Sequence, residues 1–336
     1  MFTLSDRRES NVENNFGELT ELHVHIGSAV DPAIMWEIAH EQAIKLPTKN
    51  YWEFHKLITV PGKTTYQKYL DLFKWTELIQ SSPEAIDKSV YSIASGAYRA
   101  NNITTLEIRF NPMKRNRGGE RDLDHIILAA IHGMERAMLA YPIKVGIIIC
   151  FDRSFDAKLN AILSEKAIKY SKRGVVGIDL AGPIENKFDV NSLVELVNNC
   201  RRHKLGVTIH TGESTGAEEV KKVVELLSPD RIGHGVRSTE DEKVLDLLHK
   251  RKIVLEVCPS SNLHTGVVPS WDKFKVIFEK LKKSGVLFTI NTDGPEMLAT
   301  NLKNEYQLLL DNKILNNGEL EIATKIAVNS SFIKYG

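Results

Sequence analysis

The strongest constraint on this chain is an alternation that runs from one end to the other. Short β-branched runs are each followed by a stretch with apolar residues at helical spacing. Strands are predicted over Leu19 to His25, Thr104 to Phe110, Ile143 to Cys150, Val175 to Leu180, Gly206 to His210, Arg231 to His234, Ile253 to Val257 and Val286 to Asn291. Helices are predicted over Asp122 to Leu139, Asn191 to His203, Glu218 to Leu227, Glu240 to His249, Asp272 to Ser284 and Glu296 to Asp311. Eight strands in this order predict an α/β fold, a (β/α)8 TIM barrel. The longest departure, Asp31 to Ala100, falls between the first two strands and holds several helical patterns and a Pro61-Gly62 break. We therefore expect one barrel domain over residues 1–336, with a helical insertion at 31–100 after the first strand. That insertion would sit at the mouth of the barrel, where such folds carry their chemistry, and act as a lid.

Composition removes several functional classes. The 336 residues carry 44 basic and 43 acidic side chains, so no polyanion partner is expected and nucleic acid is excluded. The densest basic stretch, Lys114 to Arg121, reads as a solvated loop. No apolar run approaches the ~20 residues that span a bilayer, so no membrane partner is expected. The start of the chain carries Asp6, Arg7, Arg8 and Glu9 where a signal peptide needs an apolar core. Cys150, Cys200 and Cys258 include no Cys-x-x-Cys pair, which suits a reducing cytoplasm. Nothing in the composition specifies an oligomeric state.

Barrel enzymes place catalytic groups at the C-terminal ends of their strands. The first strand ends in His23-Val24-His25, the fifth in His210 with Glu213 just beyond, the sixth in His234, and Asp293 follows the eighth. Residues two apart on a strand share a face, so His23 and His25 both point inward. Either histidine alone would read as a hydrogen-bonded core residue. With His210 and Asp293 the set becomes three nitrogens and a carboxylate on one rim, a composition suited to zinc or a similar borderline metal. Such a site leaves room for a water whose pKa the metal lowers to about 7, and so points to a hydrolase. His234 and Glu213 are then candidates for the base and acid that hydrolysis needs. Dinucleotide, phosphate-loop, nucleophile-elbow and zincin signatures are absent. Glu107 and Arg109, two apart on the second strand, are expected to form an internal ion pair of structural importance, and Cys258 to pack as a small core residue.

These residues and their surroundings resemble the adenosine and AMP deaminase family. The likeness runs through Glu21-Leu22-His23-Val24-His25, Ile178-Asp179-Leu180-Ala181-Gly182, His210-Thr211-Gly212-Glu213, Arg231-Ile232-Gly233-His234-Gly235, Leu255-Glu256-Val257-Cys258-Pro259-Ser260 and Asn291-Thr292-Asp293. The resemblance implies a small-molecule purine substrate and one zinc ion per chain, bound by His23, His25, His210 and Asp293. It further implies that Glu213 protonates purine N1, that His234 and Asp293 handle the attacking water, and that His25 and the Gly182 backbone contact the substrate. The expected reaction is hydrolytic deamination of a 6-aminopurine nucleoside or related adenine derivative. The alternatives are a related amidohydrolase acting on another C–N bond and a non-catalytic binding protein on the same scaffold.

Two positions depart from the family pattern. Gly27 stands where an aspartate would hold a ribose hydroxyl, and Gly294 where a second aspartate would meet purine N7. Both glycines are expected to widen the mouth, which would suit a substituted purine. Glu296 and Asn262 are nearby polar residues to which the spacing assigns no role.

Overall fold

The computed structural model describes residues 16–60, 62–116, 120–183 and 188–333. Asp6 to Glu9, Pro61 and the centre of the Lys114–Arg121 stretch lie outside them. Eight parallel strands follow one another around a barrel in chain order: β1 (Leu19–His25), β2 (Ile103–Phe110), β3 (Lys144–Asp152), β4 (Val175–Ala181), β5 (Gly206–Thr211), β6 (Arg231–His234), β7 (Val254–Val257) and β8 (Leu287–Ile290). Each predicted strand lies within one or two residues of the observed one. The circle closes through a parallel bridge between Val24 and Asp293. There the His25 N–H donates to the Asp293 carbonyl and the Asp293 N–H to the His23 carbonyl, both at 2.9 Å. Barrel strands are covered on both faces, which is why β3 reads as an unbroken apolar run with Ile147, Ile148 and Ile149 all fully buried.

The first crossover holds α1 (Pro32–Glu41), α2 (Tyr51–Ile58), α3 (Tyr66–Ile79) and α4 (Pro83–Asn101). Ser82 caps α4 by accepting from the Ala85 N–H, with Pro83 in the first turn where no donor is lost. This helix packs on β2 and on α5 (Leu123–Ala140), so it is the barrel's own first outer helix and only α1 to α3 are additional. The outer layer continues through α6 (Ala157–Lys169), α7 (Val194–Arg202), α8 (Ala217–Leu227) and α9 (Glu242–Arg251). It ends with α10 (Pro259–His264), α11 (Trp271–Lys283), α12 (Leu302–Asp311) and α13 (Asn317–Ser330). The helix expected over Glu296 to Asp311 begins only at Leu302. Residues 296–300 instead turn back on the first strand's exit, where Ser28 O accepts from the N–H groups of Glu296 and Met297. Asn301 then caps α12 through the Asn304 N–H. None of the described helices is long and apolar enough to cross a membrane.

The barrel interior is charged. Arg109 donates to Asp179 at 3.0 Å and to Glu256 at 2.9 Å, while Arg231 donates to Glu256 at 2.7 Å and to Glu107 at 2.5 Å, with all five side chains fully buried. Glu107 and Arg109 face inward as expected, but they do not pair with each other. Parallel side chains two residues apart on a strand are held about 6.6 Å apart by the strand rise, whereas residues from different strands meet near the axis. Below this column Ser331 Oγ donates to Glu107 at 2.7 Å, and the Phe332 ring stacks on the Arg231 guanidinium at 3.7 Å.

Another buried carboxyl ties α12 to the end of β7. Glu305 accepts from the Ser260 N–H at 3.0 Å and from Thr300 Oγ1 at 2.5 Å, and burial pushes its pKa from 4.5 up to about 7. The folded chain therefore holds a proton that the unfolded chain releases. The associated stability is fully present below pH 4.5 and is lost as pH rises through about 7, at a limiting slope of about 1.4 kcal/mol per pH unit. Glu305→Gln is expected to flatten the decline in unfolding free energy between pH 5 and pH 7.5, measured by urea denaturation.

Candidate active site

The strand ends bring six predicted residues to one rim. The ligand nitrogens of His23, His25 and His210 lie within 4.8 Å of one another. His25 Nε2 is 3.1 Å from His210 Nε2, and Asp293 Oδ1 lies 3.6 Å from His25 Nε2 and 3.8 Å from His23 Nε2. His23 Nε2 is buried and has no hydrogen-bond partner. A buried nitrogen left unpaired among imidazoles and a carboxylate fits a cation, since such groups are otherwise satisfied. Cys258 also approaches His23 and His234; burial first and the Asp293 charge next hold its thiol well above the ordinary value, and the thiol donates toward the Glu256 carbonyl at 3.5 Å.

The far sides of His23 and His210 are each fixed by an acid. His23 Nδ1 is 2.7 Å from Glu256 and His210 Nδ1 is 2.8 Å from Asp179. These contacts place Nδ1–H on the carboxylate and leave the Nε2 lone pairs facing one another, the carboxylate–histidine arrangement of metal centres. Burial raises the proton affinity of both acids, yet Arg109 and Arg231 hold Glu256 below its ordinary pKa, and His210 and Arg109 hold Asp179 below its own. Burial, reinforced by neighbouring positive groups, holds His23 and His25 well below the usual imidazole range, so both are neutral. Sequence reasoning had placed Asp179 and Glu256 in motifs without giving them this work. The available signal was their inward register on β4 and β7, where an unpaired acid is costly.

Glu213 and His234 sit beside the cluster, with His234 Nε2 3.7 Å from Glu213 Oε1. Burial, aided by the Asp293 charge, pushes the Glu213 carboxyl up to about 8, so it carries a proton at neutral pH. His234 is neutral because burial and the nearby His210 depress it well below the imidazole range. Its Nδ1 is 3.1 Å from the side-chain amide of Asn262, which is fully buried, so a residue without an assigned role orients this ring. Ser261 Oγ donates to Asp293 Oδ2 at 2.6 Å and the Tyr69 hydroxyl donates to the same oxygen at 3.3 Å. His234 and Asp293 both adopt left-handed backbone, φ +62° and +65°, which costs a non-glycine residue about 1–3 kcal/mol and recurs at functional sites.

A cavity of about 320 Å³ opens over these groups, lined on its outer side by Tyr66, Tyr69 and Phe73 of α3 and on its inner side by Gly182 and Glu213. Gly182 has φ +93°, and a Cβ there would lie 2.7 Å from the Asp152 carboxylate. The two glycines expected to widen the mouth do not do so. A Cβ on Gly27 would lie 2.8 Å from the Phe73 ring and 3.0 Å from Arg115 Nη2, and one on Gly294 would lie 2.7 Å from Ser28 and 2.8 Å from the Tyr69 hydroxyl. Side chains from α3 and its surroundings occupy the space that larger residues would need. Glu296 is exposed and lines a different cavity.

A sequence model of the family described as adenosine deaminase matches residues 19–335. The chain is 30% identical to a Clostridium kluyveri protein named adenosine deaminase, over 93% of this chain and 89% of that one. Among solved structures it is similar to the adenine deaminase of Arthrobacter aurescens, with a TM-score of 0.84, 20% identity and 94% of each chain covered. It is also similar to an Arabidopsis N6-mAMP deaminase, with a TM-score of 0.81, 20% identity and 94% of each chain covered. At that identity the two structures establish the shared barrel fold.

Because Asp179 fixes the His210 ring, Asp179→Asn is expected to weaken zinc binding about 10- to 100-fold. Competition with a chromophoric chelator measures this directly. An unchanged affinity in a folded variant would show that the contact does not orient a ligand.

Proposed function

Because this chain belongs to the adenosine deaminase family, we propose that it hydrolyses the exocyclic amine of a 6-aminopurine nucleoside or related adenine derivative, releasing ammonia and the 6-oxopurine. The observation that carries this reading is the buried Glu213 carboxyl 3.7 Å from His234 beside the histidine–aspartate cluster, in a setting where burial raises the carboxyl's pKa. An aromatic C6 resists attack by water unless the adjacent ring nitrogen gains a proton, and an acid that keeps its proton at neutral pH supplies it.

His23, His25, His210 and Asp293 would hold one zinc ion per chain. Zinc bound there supplies the Lewis acidity that lets water react near neutral pH. Glu213 gives its proton to purine N1 and draws electron density away from C6. His234, held by Asn262, orients the attacking water and stabilises its developing charge, and Asp293 accepts a hydrogen bond from the same water. His25 borders the base, and the Gly182 N–H meets N3, an approach that suits a residue without Cβ. Tyr69 and Phe73 place α3 over the cavity as the cover of a single barrel domain, excluding bulk water from the reacting atoms. The three cysteines are buried and free, in keeping with a reducing cytoplasm.

The test is ammonia release by zinc-loaded protein over adenosine, deoxyadenosine, adenine, AMP and N6-substituted adenosines. Glu213→Gln should lower kcat by about 10²- to 10⁴-fold with zinc content unchanged. Near-normal turnover in that variant would remove Glu213 from the chemistry, and silence of the metal-loaded protein on the whole panel would overturn the deaminase reading.

A further inference from the structure

The end of the barrel opposite the strand-end cluster carries a separate cavity of about 600 Å³, where α7, α8 and α9 turn into β5, β6 and β7. Its rim is basic. Arg201 and Lys204 come from the end of α7 and Arg251 and Lys252 from the end of α9, with Ser228 at the end of α8. Asp230 is the one acid among the described residues that line it.

Among the described residues none of the four cations forms an ion pair with an acid. Asp230 is engaged with the backbone, its Oδ2 accepting from the Val207 N–H at 2.8 Å. The two arginines meet instead at Ser228. Arg201 Nη2 donates to the Leu227 carbonyl at 2.8 Å and to the Ser228 carbonyl, and Arg251 Nη1 donates to the Ser228 hydroxyl at 3.1 Å. Two guanidinium groups brought to one residue without a carboxylate repel each other, and each has further N–H groups to offer.

A basic residue at a helix C-terminus has an ordinary use, since it offsets the negative end of the macrodipole. Here three helix ends bring about half a negative charge each and Asp230 brings one more, so four cations leave the cavity positive by roughly one to two charges. Arg231 on the inner wall adds nothing to that excess. Glu107 and Glu256 neutralise it, its Nη1 donates to the Ser330 carbonyl at 2.6 Å, and the Phe332 ring covers its face.

The placement sets the class of ligand. The cations stand on consecutive turns around a hollow, and the whole chain carries only +1, so a small ion suits the site where an extended nucleic acid does not. Arginine forks bind oxyanions in pairs of hydrogen bonds, and lysines add compact point charges. Cations supplied from two separate helix ends call for more than one anionic group.

We propose that this cavity binds a small multivalent oxyanion, one carrying two or more phosphoryl or carboxylate groups, which bridges Arg201 and Lys204 to Arg251 and Lys252 across Ser228. The bound ion ties the turns before β5 and β7 together and stabilises the fold. The site does not depend on the deaminase reading.

The experiment is isothermal titration calorimetry of the zinc-loaded protein with inorganic pyrophosphate, citrate and orthophosphate at low ionic strength. Pyrophosphate or citrate should bind more tightly than orthophosphate, and the tighter of the two identifies the oxyanion class. Arg251→Gln and Lys204→Gln should each weaken that affinity about 10-fold. Both variants keep the Arg201 contacts that hold the end of α8. Lys275→Gln, which removes an exposed charge outside the cavity, should change it less than about twofold. The same anion should raise the melting temperature of the wild type, and raise it less in Arg251→Gln and Lys204→Gln. Equal affinities in the wild type and these two variants would place the anion elsewhere, the metal centre included, and overturn the site. A matching loss in Lys275→Gln would reduce the effect to net charge and overturn it too. Failure of both multivalent anions to bind, or orthophosphate binding as tightly, would also overturn it.

Discussion

The interaction on which the site rests is the bridge that Arg109 makes between Asp179 and Glu256 at the centre of the barrel. Each acid has a second duty, one on His210 and the other on His23. Two carboxylates enclosed without a cation would take up protons, and a protonated acid is a poorer acceptor for an imidazole N–H. The guanidinium keeps both ionised, and Arg231 does the same for Glu256 from below while tying it to Glu107. Removing one member of such a buried network typically costs about 3–5 kcal/mol, because the remaining charges lose their compensation. The geometry of the rim is thus set by electrostatics one layer beneath it.

Closure of the barrel and construction of the site are one event. The two hydrogen bonds that complete the circle involve the backbone of His23, His25 and Asp293, the residues whose side chains converge above it. Asp293 accepts left-handed backbone to make that connection, and Ser261 and Tyr69 secure its outer oxygen. Strain at Asp293 and His234 is held in place by the closed sheet on either side, as expected where a functional group must leave its strand at a fixed angle.

The strands were legible because burial on both faces writes near-continuous β-branched runs, and β1 and β6 were read to the residue. The six polar residues on the rim were legible because barrel chemistry is confined to strand ends. What escaped were contacts between positions that sequence spacing does not relate. Glu107 and Arg109 share a face, yet each finds its partner across the axis. Asn262 reaches His234 from α10, and α4 proved to belong to the barrel layer, because neither packing partner is encoded locally. The start of α12 was misplaced for a similar reason: the N–H groups of Glu296 and Met297 are satisfied by Ser28 O, a partner far away in sequence.

The closing bridge also sets an order of events in biosynthesis. Asp293 follows His23 by 270 positions, and the Phe332 ring that stacks beneath Arg231 comes later still. A nascent chain emerging from the ribosome can pair its early strands as they appear, since every neighbour is consecutive. It cannot bring Asp293 against the three histidines until nearly all of the chain is present. A completed histidine–aspartate cluster therefore reports that translation has run through the last strand, and a prematurely terminated fragment lacks its carboxylate.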